Sequence, residues 1–177
     1  MTTLPAIAAV LYESGKEYDL LLARVAERAA ARGLRLAGVV QVNETYDALC
    51  ACDMTLRDLG TGTEIGISQR LGKHARGCRL DPSALERAVV LVASGLEAGC
   101  DLLVLNKFGK MEASGRGFRA LIGDALAAVL PDLLGITAAN GAAWREFAGE
   151  HGVVLPADEA AILDWITALS PSLRRSA

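Results

Sequence analysis

Aromatic side chains are scarce in this chain: phenylalanine, tryptophan and tyrosine together supply 5% of its 177 residues. The hydrophobic fraction is nevertheless 52%, so a core has to be built from Ala, Leu and Val, as in helix-covered parallel sheets. No apolar run reaches the roughly 18 to 20 residues that a membrane span requires. The opening Met1-Thr-Thr-Leu-Pro5 carries neither a basic stretch nor a small-residue cleavage site, so it does not read as a signal peptide. The expected location is therefore the cytoplasm, where the four cysteines would be reduced thiols. Net charge is only −3, which gives no global pull toward nucleic acid.

What is present is a soluble composition, with 22% charged residues, and a length that suits one domain over residues 1–177. Leu4 to Leu11 is a short apolar run, the pattern of a strand buried on both faces. A helix is predicted from Glu17 to Arg32, closed by Gly33, and a second buried strand from Leu34 to Val42. Met54 to Ser68 reads as two short strands around Gly60-Thr61-Gly62, a hairpin inserted at about residues 50–70. Asp81 and Pro82 open a helix to about Ala98, as N-cap and first helical residue.

Further strands are expected at Leu102–Leu105, Leu133–Thr137 and Val153–Leu155, and helices near 117–129, 142–150 and 158–169. The tail beyond Pro171 is expected to fray. Strands alternating with helices predict a three-layer α/β domain with a mostly parallel sheet.

Ligands of open α/β sheets sit at the carboxyl ends of the strands. The first such end, Val10-Leu-Tyr-Glu-Ser-Gly-Lys-Glu17, has Gly15 and Lys16 where a phosphate-binding loop has its Gly-Lys pair. Val10 stands in place of the first glycine. Glu17 stands in place of the hydroxyl residue that would hold magnesium.

The segment Asp101-Leu-Leu-Val-Leu-Asn-Lys-Phe-Gly-Lys-Met-Glu112 resembles the D-L-I-V-I-D-E-I-G-x-M-E stretch of archaeal-type nucleoside triphosphatases related to the human cancer-related one. It is more closely similar to a bacterial family with N-K-F-G-K, R-G-C-R-L-D-P and C-D-M-x-L-x-D-L motifs, often encoded among molybdenum-uptake or nitrogenase genes. The resemblance covers about residues 5 to 150. It implies a P-loop NTPase-like fold with degenerate motifs. Asn106 and Lys107 occupy the acidic pair of the triphosphatase pattern, one member supporting magnesium and the other orienting the attacking water. With Val10 and Glu17, four demanding positions are altered, which argues against ordinary hydrolysis.

Charge is also segregated along the chain. Residues 69–79 hold Arg70, Lys73, Arg76 and Arg79 with no acid, and residues 107–119 hold Lys107, Lys110, Arg116 and Arg119 against Glu112 alone. If both segments reach one sheet edge they form a focused anion site, with Arg76 and Arg79 suited to bidentate contact. Gly109, Gly115 and Gly117 allow close backbone approach.

The expected ligand set is thus Gly15, Lys16, Arg76, Arg79, Asn106, Lys107, Gly109, Lys110 and Arg116. The ligand class is a nucleotide or an oxyanion, and the resemblance adds molybdate or a molybdenum-cofactor intermediate. Two other readings stay open. A weak triphosphatase could use Glu17, Asp53 or Glu112, and a metallochaperone could use Cys50, Cys52 and Cys78, with His74 nearby. Cys100 is expected in the core and His151 at the surface. The partner is a small anion rather than nucleic acid or membrane, and Ala- and Leu-rich helix faces leave a homo-oligomer open.

Overall fold

A computed structural model of the protein describes residues 6–43, 54–69 and 80–169. Four of the five side chains of β1 (Ile7–Leu11) are buried, because the strand runs with a parallel neighbour on each side. It starts later than the apolar run suggests; Leu4 and Pro5 lie outside the described residues. Helix α1 (Gly15–Ala31) begins two residues earlier than the hydrophobic stripe predicts, since Ser14 serves as its N-cap. Strand β2 (Leu36–Val42) then completes a βαβ start.

The hairpin is formed by β3 (Thr55–Asp58) and β4 (Glu64–Gly66). Its turn is tied by Asp58, whose Oδ2 accepts from both the backbone N–H and the hydroxyl of Thr61 at 2.8 Å. Helix α2 (Pro82–Glu97) starts as expected, with Asp81 Oδ1 accepting from the N–H groups of Ser83 and Ala84. Strand β5 (Leu102–Val104) follows, and then a short helix, α3 (Lys110–Ala113), in a segment where the sequence suggests only a loop. Helix α4 (Arg119–Ala127) is shorter than the predicted helix at both ends. Gly117 has φ 59, outside helical backbone, so the helix cannot start there. Strand β6 (Asp132–Ile136), α5 (Gly141–Ala148), β7 (Gly152–Pro156) and α6 (Glu159–Leu169) finish the chain.

The seven strands form one sheet in the order β4-β3-β2-β5-β6-β1-β7. The hairpin is thus an antiparallel extension of the sheet at β2, and all other pairings are parallel. Alternate strand residues feed two cores. Ala8, Val10, Leu102 and Leu133 face α1 and α6, whereas Ile7, Ala9, Leu103 and Leu134 face α2, α4 and α5. Gly38, at φ 117, marks where β2 leaves β5 for the hairpin, and a Cβ there would fall on the Val104 carbonyl. Because β1, β2, β5, β6 and β7 are parallel, their carboxyl ends share one edge, and the candidate site lies on it.

Candidate functional site

The first loop is tighter than a phosphate cradle. Val10 is fully buried within β1, in register with Gly135 of β6 and Leu155 of β7. Only Tyr12, Glu13 and Ser14 remain between strand and helix. Tyr12 lies flat on Tyr18, ring centroids 4.2 Å apart. Ser14 Oγ accepts the Glu17 N–H at 3.4 Å, so this helix end is capped by its own side chain. Gly15, Lys16 and Glu17 are exposed around it.

The loop after β5 is anchored by Phe108. This ring is fully buried, edge-on to Trp144 at 5.7 Å and beside Phe147 at 5.4 Å. Its N–H donates to the Gly135 carbonyl at 2.8 Å. With Phe108 pinned inward, its neighbours Lys107 and Lys110 are held at the surface, and Asn106 is held inside.

Asn106 joins three elements. Its Oδ1 accepts from the Gln41 N–H at 3.3 Å, and its Nδ2 donates to Gln41 Oε1 at 3.2 Å. Its side chain also hydrogen-bonds Asp19 of α1, and its carbonyl accepts the Tyr18 hydroxyl at 2.7 Å. The amide expected to orient a ligand is therefore engaged in tying α1, β2 and β5 together.

Two buried acidic side chains, Asp19 and Glu112, adjoin the site. Burial raises the Asp19 pKa to about 6, against the opposing pull of the Lys107 charge and the Asn106 hydrogen bond. Glu112 is turned inward, accepting from the N–H of Gly109 at 2.9 Å and of Phe118 at 3.1 Å. Burial raises its pKa also, although those N–H groups favour the ionised form. A Cβ on Gly117 would collide with the Glu112 carboxylate, which is why the turn into α4 needs glycine there. Arg119 donates to the Glu112 carbonyl at 3.0 Å and lies over the Phe147 ring, so it braces the loop.

Between β2, the hairpin, α2 and the β5 loop lies a cavity of about 170 Å³. Asn106, Lys107, Gly109 and Lys110 all line it, with Gln41 and Glu112. The structure thus brings four of the nine predicted ligand residues together. Gly15 and Lys16 belong to the neighbouring first loop, and Arg116 is exposed on the turn after α3. Arg76, Arg79, Cys50, Cys52, Cys78, Asp53 and His74 lie outside the described residues, so their arrangement is not part of this geometry. Among the described residues no three His, Cys, Asp or Glu side chains converge as a metal site. Cys100 is half-buried against the core, where burial raises its pKa. His151 is exposed in a short 3-10 turn.

Sequence reasoning missed Asp19, Tyr18 and Gln41. The only local signal was Gly135, whose lack of a side chain makes room for the Tyr18 ring.

The chain resembles known proteins over nearly its whole length. The crystal structure of THEP1 from the hyperthermophile Aquifex aeolicus superposes with a TM-score of 0.65, covering 93% of this chain and 98% of that one at 15% identity. The fold is accordingly P-loop NTPase-like. The molybdenum import ATP-binding protein ModC 2 of Bradyrhizobium diazoefficiens is 38% identical over 169 residues, 96% of this chain but 19% of that protein. The chain therefore spans about a fifth of the length of this curated relative. No helix among the described residues is long and apolar enough to cross a membrane. A family model described as "protein of unknown function (DUF2478)" matches residues 7–165, and the chain belongs to that family.

Proposed function

We propose that this domain binds a small anion, a nucleotide or an oxyanion, at the carboxyl edge of its sheet and does not hydrolyse nucleotide in the ordinary P-loop manner. One observation carries the reading. Lys107 and Lys110 are exposed and line a cavity in which Glu112 turns its carboxylate inward to the N–H groups of Gly109 and Phe118. Two cations thus face the cavity in a protein that is acidic overall.

The same arrangement disfavours hydrolysis. Lys107 replaces a carboxylate with a cation, Asn106 is spent on Gln41 and Asp19, and Glu112 has both oxygens occupied. Phosphoryl transfer rests on positioning and charge neutralisation by groups aimed at the phosphate and its metal. The name of the Bradyrhizobium relative supports ATP and molybdate as the ligands to try first. Arg76 and Arg79 are proposed as further contacts.

Titration calorimetry of the full chain with ATP, GTP, phosphate, molybdate, tungstate and sulfate tests the proposal. Binding by at least one of them, abolished by Lys107→Ala with Lys110→Ala, is expected, with phosphate release in magnesium no faster than in buffer. Absence of binding up to millimolar concentrations would remove the anion reading. Magnesium-dependent phosphate release would remove the non-hydrolytic one.

A further inference from the structure

The cavity behind the two lysines is shaped for more than an inorganic ion. Its inner wall is apolar: Met54 and Leu56 from the hairpin, Ile67, Leu85 from α2, Met111 from α3, and Phe118. Leu56, Ile67, Leu85 and Phe118 are each at least nine-tenths buried. Of its polar groups, Gln41 and Asn106 are hydrogen-bonded to each other and Lys107 directly follows Asn106; Lys110 and Glu112 complete the polar lining. A tetrahedral oxyanion held by the lysines would leave the apolar space unfilled, and that space gives such an ion no favourable contact.

From this division we infer that the ligand is a small organic anion: a charged group held by Lys107 and Lys110, joined to one flat unsaturated ring that enters the apolar cavity. The inference rests on the anion reading of the same site and adds the class of ligand. Size supports it. An apolar protein cavity of roughly 150 Å³ accepts a benzene molecule, and this one offers about 170 Å³. A single six-membered ring fits within that volume.

The lining suits such a ring chemically. Methionine sulfur packs favourably against aromatic faces and edges, and its unbranched chain adapts to a guest. Phe118 can meet the ring edge-on or offset. Beside Lys107 the Gln41 side chain, whose Oε1 accepts from Asn106 Nδ2 at 3.2 Å, also lines the cavity.

The experiment compares phenyl phosphate, inorganic phosphate and molybdate on the full chain by calorimetry. Phenyl phosphate is expected to bind at least about tenfold more tightly than phosphate, because only it buries apolar surface. Leu80→Phe, which adds volume at the half-buried rim, should erase that preference and leave phosphate affinity in place. A readout independent of any variant comes from ¹³C-methyl labelling of the three methionines. Ring currents from phenyl phosphate should shift the methyl signals of Met54 and Met111, and phosphate should not.

Equal affinities with unmoved Met54 and Met111 signals would overturn this inference while leaving anion binding intact. Binding of none of the three would overturn the anion reading itself. A Leu80→Phe protein that folds and keeps the full preference would place the ring elsewhere and overturn the assignment of the cavity.

Discussion

The hydroxyl of Tyr18 donates to the carbonyl oxygen of Asn106 at 2.7 Å, joining the first turn of α1 to the loop after β5 across 88 positions of sequence. Both groups are buried, and burial holds the Tyr18 pKa well above its ordinary value, so the phenol is a permanent donor. The bond fixes where Asn106 turns the chain outward to Lys107. Tyr18→Phe leaves that carbonyl without its phenolic donor, which should cost about 1–3 kcal/mol. Urea unfolding measures the loss. An unchanged midpoint would mean that water or a backbone shift replaces the bond.

Asp19 makes anion binding pH-dependent. Its pKa of about 6 lies above the value near 3.9 of an unfolded chain, so the fold favours the neutral acid. The stability this contributes is complete below about pH 4 and is lost as pH rises toward 6. Across the same range, centred near pH 6, the carboxylate forms beside Lys107 and offsets its charge. Anion affinity should therefore increase as pH falls through about 6, beyond any change due to the ligand's own ionisation. Asp19→Asn should flatten that profile and raise affinity at pH 7.5. Calorimetry with sulfate, which does not titrate in this range, is the check.

How much of this was legible in the sequence divides along physical lines. Buried parallel strands announce themselves as continuous apolar runs, and Asp81-Pro82 and Gly33 mark helix ends by backbone chemistry, so the layers and most elements could be read. Helix α3 could not, because its four residues carry no period. Lys107, Lys110 and Gly109 were legible from their place after a strand. Asp19, Tyr18 and Gln41 were not, since each becomes part of the site through a contact with Asn106 that spans 65 or more positions. The place of Asn106 after the strand was legible too, but its bonds to Gln41 and Tyr18 were not.

Asp132 is a second buried acid, at the opposite end of the sheet from the lysines. It is fully buried at the start of β6, and neither oxygen has a hydrogen-bond partner among the described residues. Desolvation raises its pKa well above the ordinary range, so the fold favours the neutral acid where the unfolded chain ionises. Stability should therefore fall by about 1.4 kcal/mol per pH unit above pH 4 from this group alone, until its folded pKa is reached. Asp132→Asn removes that slope. The difference in unfolding free energy between variant and wild type, measured from pH 5 to 8, should grow with pH in favour of the variant. A flat difference would show that the acid is ionised in the fold and stabilised by a partner.

Helices α1 and α4 end in the same motif with different residues at its demanding position. After α1, Gly33 donates to Ala30 and Leu34 to Ala29; after α4, Val129 donates to Leu126 and Leu130 to Ala125. This pairing of bonds places the residue after the C-cap in the left-handed region. Gly33 accepts φ 90 without cost, whereas Val129 is held at φ 56 with a branched Cβ. Val129 is also 73% exposed, so its side chain recovers little by packing. Val129→Gly should relieve strain of order 1–3 kcal/mol, partly offset by the greater entropy of glycine in the unfolded chain. The expected net gain is about 1 kcal/mol, visible as a raised thermal midpoint. Gly33→Val should produce a loss of comparable or larger size, because it imposes the same strain on the helix that carries Tyr18 and Asp19. If Val129→Gly lowers stability, its side chain is held by a contact that outweighs its backbone, and the exposed valine would then mark an interaction surface.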